Sequence, residues 1–264
     1  GVTTHLASPL AGVLAAAIWW LHPLNVEPVA YLTARGDLLV ARFTLLSVWL
    51  ALTWSRHGGI WRLVLLGHAL LAAMLSKEIG LMAIPLTILT LVLTGRAARV
   101  SDALRYGLWA VGGLALGLGW HQIAHWQAIE PGQPGSVFQW GDFLLLQLTA
   151  LWHLLALIVW PVGLSIDHDV VGLVFGWRVA AVLLTVTLQS TFVLTWRRHT
   201  LMAWGLGWLV LAVLPRFIVP TNEFFHEYYL YPAWCGIAVL IGSGLARVWT
   251  RPRVNSPASS GVAA

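Results

Sequence analysis

Residues 38–75 read LLVARFTLLSVWLALTWSRHGGIWRLVLLGHALLAAML. Two apolar runs, 38–54 and 60–75, flank a short polar turn marked by Arg56 and Arg62. Each run approaches the roughly 20 residues that a helix needs to cross the hydrocarbon of a bilayer. Neither shows the ten-residue alternation of a transmembrane barrel strand. Similar runs recur at 6–21, 79–94, 106–124, 143–164, 170–196, 201–219 and 229–249. The composition agrees, with 59% hydrophobic and 9% charged residues among 264 and a mean hydropathy of +0.79. Soluble domains carry about 25% charged residues, so too little polar surface is available to cover a soluble fold of this size. A soluble globular enzyme, a disordered chain and a disulfide scaffold are excluded. The expected fold is all-α: a polytopic membrane protein of about eight or nine transmembrane or re-entrant helices. Residues 1–249 are expected to form a single helical transmembrane domain. Residues 250–264, rich in Pro, Ser and Ala, are expected to be a disordered cytoplasmic tail.

The charges are sorted along the chain. Ten arginines fall in four groups: Arg56 and Arg62; Arg96, Arg99 and Arg105; Arg197 and Arg198; and Arg247, Arg251 and Arg253. The positive-inside rule assigns all four groups to the cytoplasm. Net charge of +5 then reports topology, and no nucleic-acid partner is expected. Counting through 143–164 breaks the alternation, because 106–124 ends outside and Arg197/Arg198 belong inside. With Trp140, Trp152, Trp160 and Pro161, that segment is expected to be re-entrant or to lie along the membrane. Nine of the ten acids, including Asp142, then fall in or beside outward segments, and only Asp102 is cytoplasmic. No basic stretch precedes 6–21, so no signal peptide is expected there.

Four outward stretches concentrate polar chemistry. The first runs His22-Pro-Leu-Asn-Val-Glu27-Pro-Val-Ala-Tyr31-Leu-Thr-Ala-Arg35-Gly-Asp37. Arg35 can clamp a phosphate bidentately, or pair with Asp37 or Glu27 in a capped loop. The second is Ser76-Lys77-Glu78, with the chain's only lysine, suited to a lipid phosphate or to snorkelling. The third is Trp160-Pro161-Val-Gly-Leu-Ser165-Ile-Asp167-His168-Asp169. Its Asp-x-Asp pair can hold a divalent metal, or simply cap a helix in a turn. The fourth is Asn222-Glu223-Phe-Phe-His226-Glu227-Tyr228-Tyr229-Leu-Tyr231-Pro232, an aromatic belt or a sugar-binding rim. His121 and His125 stand four apart, without a third ligand implied nearby. His68 and His153 read as satisfied interior histidines or water-cavity residues. The single Cys235 lies in an apolar run and excludes an internal disulfide.

In this order the four stretches resemble one family. His-Pro-x-x-x-Glu-x-Val-Ala is followed by Arg-x-Asp-Leu-Leu, then Ser-Lys-Glu before an apolar run carrying Pro85. A Trp-Pro-x-x-Leu-Ser-x-Asp turn and Glu-x-Tyr-Leu-Tyr complete the series. The succession is similar to the membrane region of the transmembrane-and-tetratricopeptide O-mannosyltransferases and their bacterial homologues, which are polytopic GT-C glycosyltransferases. That resemblance implies sugar transfer from a polyprenyl-phosphate donor at the outer face of a membrane, in bacteria the inner membrane. It implies Arg35, Lys77 and His22 as donor-phosphate contacts. Glu78, Asp167, His168, Glu227, Tyr229 and Tyr231 would form the substrate rim. Glu27 or Asp37 is the first choice of general base. No definite cofactor is expected; the Asp-x-Asp spacing leaves a divalent metal as the candidate, with Asp167 and Asp169 as its ligands. Tyr228 stands where the family carries Arg. The family's catalytic carboxylate lies in a loop ahead of residue 6, and its repeats follow the membrane region. The chain is therefore expected to be a fragment, part of a split enzyme or a non-catalytic relative. The alternative function is a non-catalytic membrane subunit that binds lipid or a partner subunit. A transporter is the third, with Arg42, His68, His153 and Arg178 as its mid-helix polar residues.

Overall fold

The computed structural model describes residues 8–94, 140–165, 175–195, 198–218 and 226–250, and these are helical with no strand among them. Helix α1 (Pro9–Leu21) starts where the Ser8 hydroxyl accepts the Ala11 N–H at 3.1 Å and Pro9 takes the first helical position. It stops before Pro23, because the residue preceding a proline is pushed into extended backbone. Short turns and the five-residue α2 (Val26–Ala30) then bend the path by 62° into a polar link.

Helices α3 (Arg35–His57) and α4 (Ile60–Ser76) form an antiparallel hairpin. Gly58 and Gly59, at φ 64° and 97°, supply the left-handed turn that joins them. Helix α5 (Ala83–Leu93) follows a tight turn at Glu78–Met82. A Cβ on Gly80 would overlap the Ala73 carbonyl, so only glycine lets this turn lie on the end of α4. Helices α6 (Trp140–Val159), α7 (Phe175–Thr195), α8 (Thr200–Ile218) and α9 (Cys235–Trp249) complete the described bundle.

The core joins Val40, Val48, Leu86, Trp204, Trp208 and Trp234 from α3, α5, α8 and the turn before α9. Small residues let backbones approach where α9 crosses its neighbours: Gly236 meets Gly205 of α8, and Gly242 meets Ala15 of α1. Polar side chains bridge helices inside the bundle. Ser47 and Thr87 hydroxyls lie 3.0 Å apart, and the Trp204 indole donates to Thr90 Oγ1 at 2.8 Å.

Contacts fix the direction of each helix. The end of α1, the start of α3, the ends of α4, α6 and α8, and the start of α9 meet at one end of the bundle. Glu27, Asp37, Glu78 and Glu227 lie at that end. Arg56, Arg62, Arg198 and Arg247 lie at helix ends away from it.

Three expectations are corrected here. The segment 143–164 is one uninterrupted helix to Val159, running from the basic to the acidic end, followed by the non-helical residues 160–165. Pro161 ends that helix instead of breaking it midway. Asp142, expected outward, therefore occupies the first turn of α6 at the basic end. His68 is exposed on α4 and bonds back to the Val64 carbonyl at 2.7 Å, so it is not an interior residue.

Two described helices, Leu32–His57 and Thr200–Phe217, are long and apolar enough to cross a membrane. A third crossing is reached if the bent pair Pro9–Leu21 and Pro23–Ala30 is one span. These spans fit a membrane protein. Eight or nine crossings are not reached among the described residues, because the other apolar helices are shorter. The expected helix at 106–124, the arginines at 96–105 and the tail from 251 lie outside the described residues.

Candidate functional site

Asp37 occupies the first turn of α3, where an acid favours the positive helix end. Its side chain is fully buried, and each oxygen faces a different cation. Lys77 Nζ donates to Oδ2 at 2.6 Å from the end of α4. Arg216 Nη2 stands 3.5 Å from Oδ1, carried there by the last turn of α8. At that distance the second contact is ionic without being a hydrogen bond, and both atoms are buried.

Two consecutive tyrosines roof the cations. Lys77 Nζ lies 4.8 Å from the Tyr228 ring centroid. The Arg216 guanidinium lies 3.1 Å from that of Tyr229. Both contacts are of cation–π type. The unit Asp37–Lys77–Arg216 thus carries two cations for one carboxylate.

A second carboxylate sits beside it. Glu27 Oε2 accepts the Tyr228 backbone N–H at 2.9 Å. Its Oε1 is 3.6 Å from His226 Nδ1 and has no hydrogen bond among the described residues. His226 stacks on Tyr228 at 5.0 Å. Glu227 Oε1 accepts the Ser165 N–H at 2.7 Å, which ties the 160–165 segment to the same turn.

Tryptophans hold this turn in place. Trp208 donates to the Pro232 carbonyl at 2.8 Å, and Trp19 to the Tyr231 carbonyl at 3.1 Å. Trp234 donates to Asn25 Oδ1 at 3.3 Å, while the Asn25 amide donates to the Trp19 carbonyl. The turn bearing Tyr228 and Tyr229 is therefore locked to α1, α8 and the polar link together.

The sequence-predicted residues divide accordingly. Glu27, Asp37, Lys77, Glu227 and Tyr229 are brought together. His22 is occupied elsewhere. Its Nδ1 accepts the Leu24 N–H at 3.2 Å, so Nε2 carries the proton and donates to the Ile158 carbonyl at 3.0 Å. It latches α6 to the polar link and is not a phosphate contact in this arrangement. Arg35 is exposed and sits two residues from Asp37, close to the opposite side of α3. Glu78 is exposed next to Lys77. Tyr231 is a core residue against Trp19, at 4.8 Å between rings, and burial pushes its phenol up to about 12. Asp167, His168 and Asp169 lie outside the described residues, as do Asn222, Glu223, His121 and His125. Among the described residues no group of three or more His, Cys, Asp or Glu can hold a metal ion.

Sequence reasoning missed Arg216 and left His226 out of the site. A signal for Arg216 was present. It follows Pro215 within an otherwise apolar helix, at the end where the acids gather and opposite to Arg56, Arg62, Arg198 and Arg247. His226 stands one residue from Glu227, and only the fold brings it to Glu27. No family model, curated protein or solved structure matches the chain.

Proposed function

We propose that this chain is a GT-C-like membrane glycosyltransferase, or the membrane part of one. It transfers a sugar from a polyprenyl-phosphate donor at the acidic end of the bundle. The observation that carries the reading is the two-cation clamp on Asp37, set beside a second buried carboxylate, Glu27. The motif resemblance supports the same chemistry.

A polyprenyl-phosphate sugar is a phosphodiester with one negative charge. When the acceptor oxygen attacks the anomeric carbon, the carbon–oxygen bond to phosphate breaks. The departing polyprenyl phosphate gains a second negative charge. Two cations facing the departing phosphate stabilise the charge that develops in this step. Lys77 and Arg216 are those cations. Asp37 positions them, since both its oxygens face cations. Glu27, whose Oε1 has no hydrogen bond among the described residues, takes the acceptor's proton as general base. This assigns Asp37 to positioning in place of base catalysis. The membrane is the bacterial inner membrane and the site faces the periplasm. The partners are the lipid-linked sugar, membrane lipids and a partner membrane subunit.

The test is transfer of labelled sugar from polyprenyl-phosphate mannose to an acceptor hydroxyl by the purified chain. Lys77→Gln and Arg216→Gln should each lower kcat/KM by about 100-fold or more, the scale of losing one charged stabiliser of a transition state. Wild-type rates in both variants would overturn the reading.

One observation favours the second reading, a non-catalytic membrane subunit. The two tyrosine rings already cover the cations, so the cluster can serve as an internal staple. In that case Arg216→Gln lowers thermal stability and leaves donor binding as it was.

A further inference from the structure

We propose that the exposed stripe of α3 binds the phosphate of an anionic phospholipid between Arg35 and Arg42. This site lies apart from the buried cluster and does not rest on the sugar-transfer reading. Arg35, Leu39, Arg42, Leu46 and Trp49 are exposed in succession. Their spacing of three and four residues places them on one helix face. Asp37, Val40, Thr44 and Val48 occupy the buried face. Neither arginine makes an ion pair or hydrogen bond among the described residues, and no carboxylate stands on this face of α3.

Depth places the pair at a headgroup. Leu32–His57 is a candidate span of 26 residues. At about 1.5 Å per residue it reaches about 39 Å, roughly 9 Å more than the hydrocarbon core. From the Gly58–Gly59 turn, Arg42 is as many residues back as Leu75 is forward, so it stands beside the last turn of α4. Arg35 lies two turns, about 10.5 Å, further out. Helical side chains lean toward the N-terminus, which here is the same outward direction. The Arg42 guanidinium therefore snorkels toward the level of Arg35, with Leu39 and Leu46 left for acyl chains. An ionisable residue within a membrane-spanning segment is a functional-site candidate by default. Two guanidiniums with no acid between them fit a phosphate that has no ammonium of its own, as in phosphatidylglycerol.

The full chain, purified in detergent, is titrated separately with phosphatidylglycerol and phosphatidylcholine, and bound lipids are counted by native mass spectrometry. Wild-type protein should retain phosphatidylglycerol preferentially. Arg42→Gln should weaken that retention about fivefold, the scale for one basic residue at an anionic lipid surface. Arg35→Gln with Arg42→Gln should abolish the preference at this site, and Arg42→Lys should keep most of it. Both side chains are exposed, so thermal stability in phosphatidylcholine should not change. Three results would each overturn the proposal: equal retention of the two lipids, a preference unaltered in the double variant, or displacement of the lipid by millimolar inorganic phosphate. A preference lost only in Arg56→Gln with Arg62→Gln, at the basic end, would overturn it as well.

Discussion

Asp37 is the residue on which the site depends. It is fully buried and its two oxygens meet Lys77 and Arg216. Removing one member of a buried ion pair leaves an uncompensated charge and costs about 3–5 kcal/mol. Asp37→Asn should therefore lower the apparent melting temperature sharply in a detergent thermal-shift measurement. Adding Arg216→Gln to that variant should recover part of the loss, because the two residues couple directly. Additive losses would mean that the pair does not interact. Tyr231 gives a pH prediction. Its phenol is pushed up to about 12 in the folded chain, above the usual tyrosine value near 10. Between these values the unfolded chain has already lost the proton that the folded chain keeps. Stability attributable to Tyr231 is thus complete below about pH 10 and falls as pH rises toward 12. An alkaline melt of Tyr231→Phe should lack that component.

At the scale of elements, the turn at Glu78–Met82 and the turn before α9 position the charges. Gly80 lies so close to the Ala73 carbonyl that a methyl group cannot be accommodated without displacing the turn. Gly80→Ala should move Lys77 away from Asp37. It should reduce donor binding in the same direction as Lys77→Gln, although residue 80 touches no ligand. Trp208 is buried and donates to the Pro232 carbonyl. Trp208→Phe leaves that buried carbonyl unpaired, a loss of about 1–3 kcal/mol that a thermal shift would register. The sequence made half of this site legible. Glu27, Asp37, Lys77 and Glu227 could be picked out because carboxylates and a lone lysine stand out in an apolar chain. Arg216 could not be recognised by motif, since its partner lies far away in sequence and only the packing of α8 against α5 and the Glu78–Met82 turn brings them together. His22 was legible as a polar residue but not as a latch, because its partner is a backbone carbonyl of α6.

For the whole molecule, the charge pattern was the informative signal. The hairpin α3–α4 follows the predicted runs 38–54 and 60–75 to within three residues, as continuous hydrophobicity dictates. Crossing number was less legible, because apolar runs such as 79–94 and 229–249 open with tight turns that shorten their helices. The orientation of α6 was left open by the sequence, because positive-inside counting does not alternate through 143–164. Even so, Arg56, Arg62, Arg198 and Arg247 lie at the opposite end from Glu27, Asp37, Glu78 and Glu227. Cysteines placed at the exposed positions Arg56 and Glu78 should react with a membrane-impermeant maleimide from opposite sides of sealed vesicles. Labelling of both from one side would contradict the bundle's orientation. Cys235 is buried and should stay silent in that assay.

The proposed donor site rests on Lys77 and Arg216 as its phosphate contacts. Its most direct measurement is the affinity of the purified chain for polyprenyl phosphate, read by intrinsic tryptophan fluorescence in Arg216→Gln and Arg216→Lys proteins. Loss of one charge-assisted contact, about 1.5–3 kcal/mol, predicts a Kd about 10- to 150-fold weaker in Arg216→Gln. Arg216→Lys should fall in between. A Kd equal to wild type in a folded Arg216→Gln protein would remove Arg216 from the phosphate site.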